Sequence, residues 1–278
     1  MREAIRQRLL DAIPELGGRA YDLHEDVSTA DKPYLVIVQG PDAYENGWTG
    51  HRRTFEIWPY VGLGEGFGAV DGLADAVVQA LDERTLTGPP GEGTFLCRYS
   101  GTAEGDRKDE AKTAITRGIR FSVWGLPDAG TADATDSDSW LTALGNWSAA
   151  WLGGDWRVHL NAWPRDLTKP AVLWRIQSIE TLEGDSAAYE TRKRVIGHFL
   201  GVSRNKEMAA VYEAIGRLQA GTKIALDPHA RTWLKVADLQ ADLSADRLTA
   251  GQLAITLSKR MSRAPAAAPL MRQVRIYS

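Results

Sequence analysis

The sequence predicts an α+β fold carried twice: two tandem copies of a twisted, mostly antiparallel sheet, each with two helices packed on one face. Three observations predict it. Landmark segments recur in the same order about half a chain apart, apolar residues fall at helical and strand spacings in matching places, and 278 residues suit two modest cores better than one.

The repeat is read from five pairs of segments. LGGRAYDL from Leu16 is echoed by LGGDWRVHL from Leu152, 136 residues on, and KPYLVIVQ from Lys32 by KPAVLWRIQ from Lys169, 137 on. HRRTFEIWPYV from His51 is matched by TRKRVIGHFLGV from Thr191, and ADAVVQALDE from Ala74 by MAAVYEAIGR from Met208. Thr116-Arg117-Gly118 before IRFSVWG pairs with Thr249-Ala250-Gly251 before QLAITLSK. The boundaries that follow are copy one at 1–126, an acidic linker at 127–139, copy two at 140–263 and a C-terminal extension at 264–278.

Each copy opens on a helix. Ile5, Leu9 and Ile13 make one apolar stripe over residues 2–13, ended by Pro14 and Gly17-Gly18. Trp140, Leu144, Trp147 and Trp151 form the second stripe, closed by Gly153-Gly154, with Asp138 or Ser139 as its N-cap. Strands follow where apolar and β-branched residues crowd, as over Tyr34 to Val38, or alternate, as Phe55 and Ile57 do with Glu56. The expected order in each copy is helix, three strands, helix, two strands. The polar segments GPDAYENGWTG and SIETLEGDSAA read as long hairpin loops projecting from the body. PDAGTADATDSDS reads as linker by composition, and Met271 to Ile276 as a strand added to a sheet edge, its own or a neighbour's.

Composition excludes several classes. With 44% apolar and 25% charged residues the chain is neither disordered nor fibrous, and a net charge of −3 lacks the basic footprint of a protein that grips DNA. A single cysteine, Cys97, forms no intrachain disulfide and is expected in the core; the charged opening MREAIRQRLLDAIPEL is unlike a signal peptide, and no apolar run is long enough for a membrane span. A reducing cytoplasm, or a particle assembled there, is the expected setting.

No catalytic, cofactor or metal site is expected. His24, His51, His159, His198 and His229 never fall at metal-ligand spacing, no serine sits in a G-x-S-x-G elbow, and the linker aspartates lack the glycine and glutamate of a calcium loop. Gly62, Gly64, Gly66 and Gly68 lie between a strand and a helix, where backbone amides can cradle phosphate, but they fit no phosphate-binding register and copy two has lost them. A nucleotide-binding alternative rests on that loop alone. Basic clusters at the same point of both copies, Arg52-Arg53 and Arg192-Lys193-Arg194, are candidate contacts between subunits, and Trp48 is a candidate interface anchor.

The N-terminal copy resembles the bacteriophage tail terminator (tail completion) family. The resemblance rests on the opening amphipathic helix, on Gly18, Arg19 and Tyr21, on the KPYLVIVQ strand, on the basic aromatic strand HRRTFEIWPY and on the Ala/Val/Leu helix ending near Leu81. It covers residues 1–125 directly and 140–262 through the repeat. What it implies is a structural virion protein, not an enzyme, that forms a six-fold ring at the head-proximal end of the tail, stops tail tube assembly and meets the head–tail connector. Family members typically carry one copy. Two fused copies imply a trimer with pseudo-six-fold symmetry, or a true hexamer with copy two decorating its outside. The implied partners are itself, the tail tube protein and the connector, with DNA as passing cargo. Asp42, Glu45, Glu180, Glu183 and Asp185 are then candidate channel-lining acids that repel phosphate. Another head–tail joining or tail protein of similar fold is the nearest alternative.

Overall fold

A computed structural model describes residues 1–127, 138–184 and 187–263, so most of the linker, Asp185 and the C-terminal extension lie outside the described residues. These divide into two compact units. The first takes in residues up to 127 together with Asn161–Ala171; the second takes in 138–160 and everything described from Val172 on.

The first unit contains α1 (Arg2–Ala12), β1 (Ala20–Asp22), β2 (Tyr34–Asn46), β3 (Gly50–Gly62), α2 (Phe67–Leu81), β4 (Thr85–Thr87), β5 (Thr94–Asp109) and β6 (Ala114–Gly125). The second contains α3 (Ser139–Leu152), β7 (Arg157–Leu160), β8 (Ala171–Leu182), β9 (Ala188–Leu200), α4 (Arg204–Ala220), β10 (Lys223–Asp227), β11 (Thr232–Ala241) and β12 (Leu253–Ser262). The first sheet runs β1-β2-β3-β6-β5-β4 and the second, read from the matching edge, β7-β8-β9-β12-β11-β10. One topology occurs twice. In the first sheet β1 is parallel to β2 and the other pairs are antiparallel. The Lys32–Pro33 and Lys169–Pro170 bonds, which match in the repeat, are both cis.

Strand alternation sends one set of side chains to the helices. In the first unit Leu35, Ile37, Phe55, Ile57 and Phe121 meet Ile5, Leu9, Val70 and Val77, all fully or almost fully buried. In the second, Val172, Trp174, Val195, Phe199 and Ile255 meet Leu141, Leu144, Val211 and Leu218. Each such aliphatic or phenyl side chain contributes about 1.5–3 kcal/mol by leaving water. The Asp138 carboxylate caps α3, accepting from the Trp140 and Leu141 amides at 2.9 and 3.4 Å.

Two sequence expectations are corrected. A third strand follows the second helix of each unit, but β4 has three residues and buries only Leu86, and β10 has five, so neither shows a usable period. The polar segments are chiefly strand. GPDAYEN completes β2, and Asp42, Ala43 and Tyr44 pair with Arg53, Arg52 and His51 beyond a bulge after Gln39. Only residues 47–49 turn, held by Asn46 Oδ1, which accepts from the Thr49 amide at 2.8 Å and its hydroxyl at 2.7 Å. His51 still pairs with Gly125 of β6, so this hairpin stays in the sheet to its tip.

Candidate assembly surface

The β2–β3 register brings together residues that the sequence separates into bases and acids. Arg52 Nε lies 2.8 Å from Glu45 Oε2, and Arg53 Nε lies 3.7 Å from Asp42 Oδ2, all four side chains partly exposed. The candidate contact bases and channel acids of this copy therefore offset each other on one hairpin. Exposed pairs of this kind are worth about 0.2–1 kcal/mol, so they set charge and register more than stability. Tyr44, 64% exposed, packs edge-on against the His51 ring at 5.4 Å.

The second cluster divides three ways. Arg192 bonds Glu190 at 2.9 Å, which holds the Glu190 carboxyl below its usual range and lifts the guanidinium. Lys193 points to the helix side, where it pairs with Asp138 and lies 4.6 Å over the Trp140 ring; with its side chain 12% exposed, it fastens β9 to the start of α3. Arg194 bonds Gln177 and Gln240, both at 3.0 Å, across the sheet. Glu180 is exposed within the field of Arg192, and the Glu183 side chain, 92% exposed, stands 4.0 Å from Arg263.

Trp48 is partly buried, its carbonyl accepting from the Trp163 amide at 3.0 Å. That contact belongs to a feature sequence reasoning missed. Residues 161–171 join β7 to β8 in the chain yet pack within the first unit. The Arg165 carbonyl accepts from the Thr94 amide and hydroxyl at 2.9 and 2.6 Å, and Lys169 donates to the Glu83 carbonyl at 3.1 Å. Gly93, at φ +77°, admits the Arg165 side chain where any Cβ would collide with it. Fully buried Trp163 and Leu167 were the signal in the sequence, two large apolar residues in a turn-rich stretch.

A second missed feature is a buried polar network in the second unit. Glu207 of α4 is fully buried and binds Arg204, Arg247 at 2.8 Å and Gln252 at 3.2 Å. Buried His198 accepts from Arg175 Nε at 2.9 Å while its other ring nitrogen meets the Arg247 carbonyl at 3.0 Å. Burial, reinforced by the Arg175 charge, pushes His198 down to about 4. Gln252 closes the network with two 2.9 Å bonds to the Phe199 backbone.

Cys97 sits in the first core, where burial pushes its thiol up to about 12. In the glycine loop Gly66 begins α2 at φ +75° with no side-chain cap, and a Cβ at Gly64, Gly66 or Gly68 would meet nothing within 4 Å. No helix among the described residues is long and apolar enough to cross a membrane. Nor, among them, do three His, Cys, Asp or Glu side chains gather in a group suited to a metal.

No protein-family model and no curated protein matches the chain. Among solved structures, a chain described as "Virion of native gene transfer agent (GTA) particle" is similar to 45% of this chain over 92% of its own length, at 20% identity and a TM-score of 0.36.

Proposed function

We propose that the chain is a structural virion protein, without catalytic activity, that forms a ring at the head-proximal end of a phage-type tail, ends tail tube growth and meets the head–tail connector. The observation that carries this reading is the identical strand order of the two sheets within one chain. A fold copied in tandem offers the same edges and hairpins twice, so rotation about an axis lets each face the equivalent surface of the next. The resemblance of residues 1–125 to tail terminators supplies the place in the tail. Three chains then give six equivalent positions.

In this reading the β2–β3 and β8–β9 hairpins rim a channel that DNA crosses as cargo. Because Asp42 and Glu45 are offset by Arg53 and Arg52, repulsion of phosphate rests on Glu180 and Glu183 more than on the first hairpin. Arg52, Arg192 and Arg194, on partly exposed positions, orient the neighbouring subunit, as does Trp48 on the β2–β3 turn. The mass of the isolated assembly tests the reading. Three chains per ring support it, six chains place the second copies outside a true hexamer, and a single chain at every concentration overturns it.

A further inference from the structure

Each repeat joins its first two strands by a turn-rich connection that ends in Lys-Pro: residues 23–33 before β2 and 161–170 before β8. The second of these covers the end of the β4–β5 hairpin, through the Thr94–Arg165 bonds and the Lys169–Glu83 contact. The equivalent place in the second unit is the β10–β11 hairpin. The strand registers fix the match, since the buried pair Leu86–Phe95 corresponds to Ile224–Leu234, so Trp233 stands where Thr94 does. Trp233 is 48% exposed.

The charges name the occupant. Residues 161–171 bring Arg165 and Lys169 against one Asp166, and Lys169 reaches Glu83 at 3.8 Å, a carboxylate that Arg98 also meets at 3.2 Å. At the open site the signs reverse: residues 222–235 hold Lys223, Arg231 and Lys235 against Asp227, whose carboxylate caps its own turn by accepting from the His229 and Ala230 amides. The connection at 23–33 holds Asp26 and Asp31 against Lys32, its third carboxylate, Glu25, being paired with Arg6 of α1 at 3.2 Å. Val27 and Ala30 anchor it on its own sheet, while Asp26, Asp31 and the 68% exposed Leu23 remain on the surface.

We propose that residues 23–33 of one chain dock on the β10–β11 hairpin of a second copy, Leu23 and Trp233 supplying apolar contact and the opposed charges supplying register. The contact is head-to-tail, so it propagates until rotation closes it. It deepens the ring reading and rests on that reading for closure.

The test uses the full chain in two charge-reversed forms, Asp26→Lys with Asp31→Lys, and Lys223→Glu with Arg231→Glu, each checked for unchanged thermal melting. Native mass measurement at a concentration where the parent is assembled should find each form alone dissociated, with association weakened roughly tenfold or more. One chain carrying all four substitutions should recover the assembly, whereas an equimolar mixture of the two forms should restore pairwise association but not a closed ring of three, in which one contact always stays mismatched. Either folded form assembling like the parent, or a folded four-substitution chain that stays dissociated, overturns the contact and leaves the ring reading standing. A parent that never assembles overturns the ring reading and the contact with it.

Discussion

The two sheets share strand order and helix-side packing, but their outer faces are built from different chemistry. In the first unit that face is apolar: Tyr34 and Tyr60 stack at 5.0 Å and 14° beside Val36 and Ala114, and Val27 and Ala30 of the β1–β2 connection pack on them. In the second, buried Leu173 and Ile196 share that face with two buried polar side chains, Arg175 and His198, which are tied to the connection between β11 and β12 through the Arg247 and Ala250 carbonyls. The helix side is chiefly apolar because it is where each unit excludes water from both layers, and Glu207 on the inner face of α4 is held there only by its ionic partners. The outer face needs only one connection to cover it, and either hydrophobic contact or complete hydrogen bonding can secure that cover. The two solutions fail differently. Apolar packing loses contacts by degrees, whereas a buried ionic network is left with uncompensated charge when one member goes.

Glu207 is where that difference should be largest. Its carboxylate holds two arginines and Gln252 with its side chain 1% exposed, so Glu207→Ala takes the buried counter-charge from Arg247, 17% exposed, and from half-exposed Arg204, and should cost about 3 kcal/mol. Hydrogen exchange would show the loss in β9 and β12 while β3 and β6 stay protected. A loss under about 1 kcal/mol would mean that water replaces the carboxylate readily and the network is no keystone.

The next effect is a pH window. Unfolded, His198 takes a proton near 6.5; folded, burial and the adjacent Arg175 delay this to about 4. Between those values the unfolded chain binds more protons, so stability is complete above pH 6.5 and falls by about 3 kcal/mol in all as pH drops to 4. His198→Gln keeps an acceptor for Arg175 without titrating and should flatten that part of the profile. Denaturant titrations across the window measure it, and equal slopes for parent and variant would assign the acid sensitivity to carboxylates instead.

How much of this was legible in the sequence follows from what each residue faces. The stripe at Ile5 and Leu9, the run from Tyr34 and the alternation at Phe55 and Ile57 all meet one core, so their periods announce themselves. Residues 40–46 are strand with mostly exposed side chains, and without a buried face their composition resembles a loop. The cover at 161–171 depends on Trp48, Glu83 and Thr94, too distant in sequence for any local pattern. The polar network left one trace that went unused: Glu207 occupies an inner position of α4 together with Ala210, Val211, Ala214 and Leu218, where a carboxylate demands partners. The hairpin arginines could be located from the repeat, but their pairing with Asp42 and Glu45 required the register.

Removing an imperfection from the apolar face sharpens the contrast. The Tyr34 hydroxyl is buried with no hydrogen-bond partner among the described residues, and burial pushes its ionisation above the usual tyrosine range. Tyr34→Phe keeps the ring stacked on Tyr60 and deletes the stranded hydroxyl, so it should stabilise the first unit by up to about 1 kcal/mol. Destabilisation by a similar amount would show that the hydroxyl is hydrated in solution, and that this face is more polar than its residues suggest.

The smallest effect belongs to the hairpin. Glu45→Gln removes a partly exposed partner of Arg52 and should change stability by only about 0.2–1 kcal/mol. The change should vanish in high salt, which screens exposed pairs far more than buried ones. Repeating the salt series on Lys193→Met gives the contrast, because that lysine is 12% exposed and bound to the carboxylate that caps α3. Its loss should persist in salt. Equal salt dependence of the two variants would mean that the second unit's basic cluster is as solvated as the first, and that burial has not separated the two copies at this position.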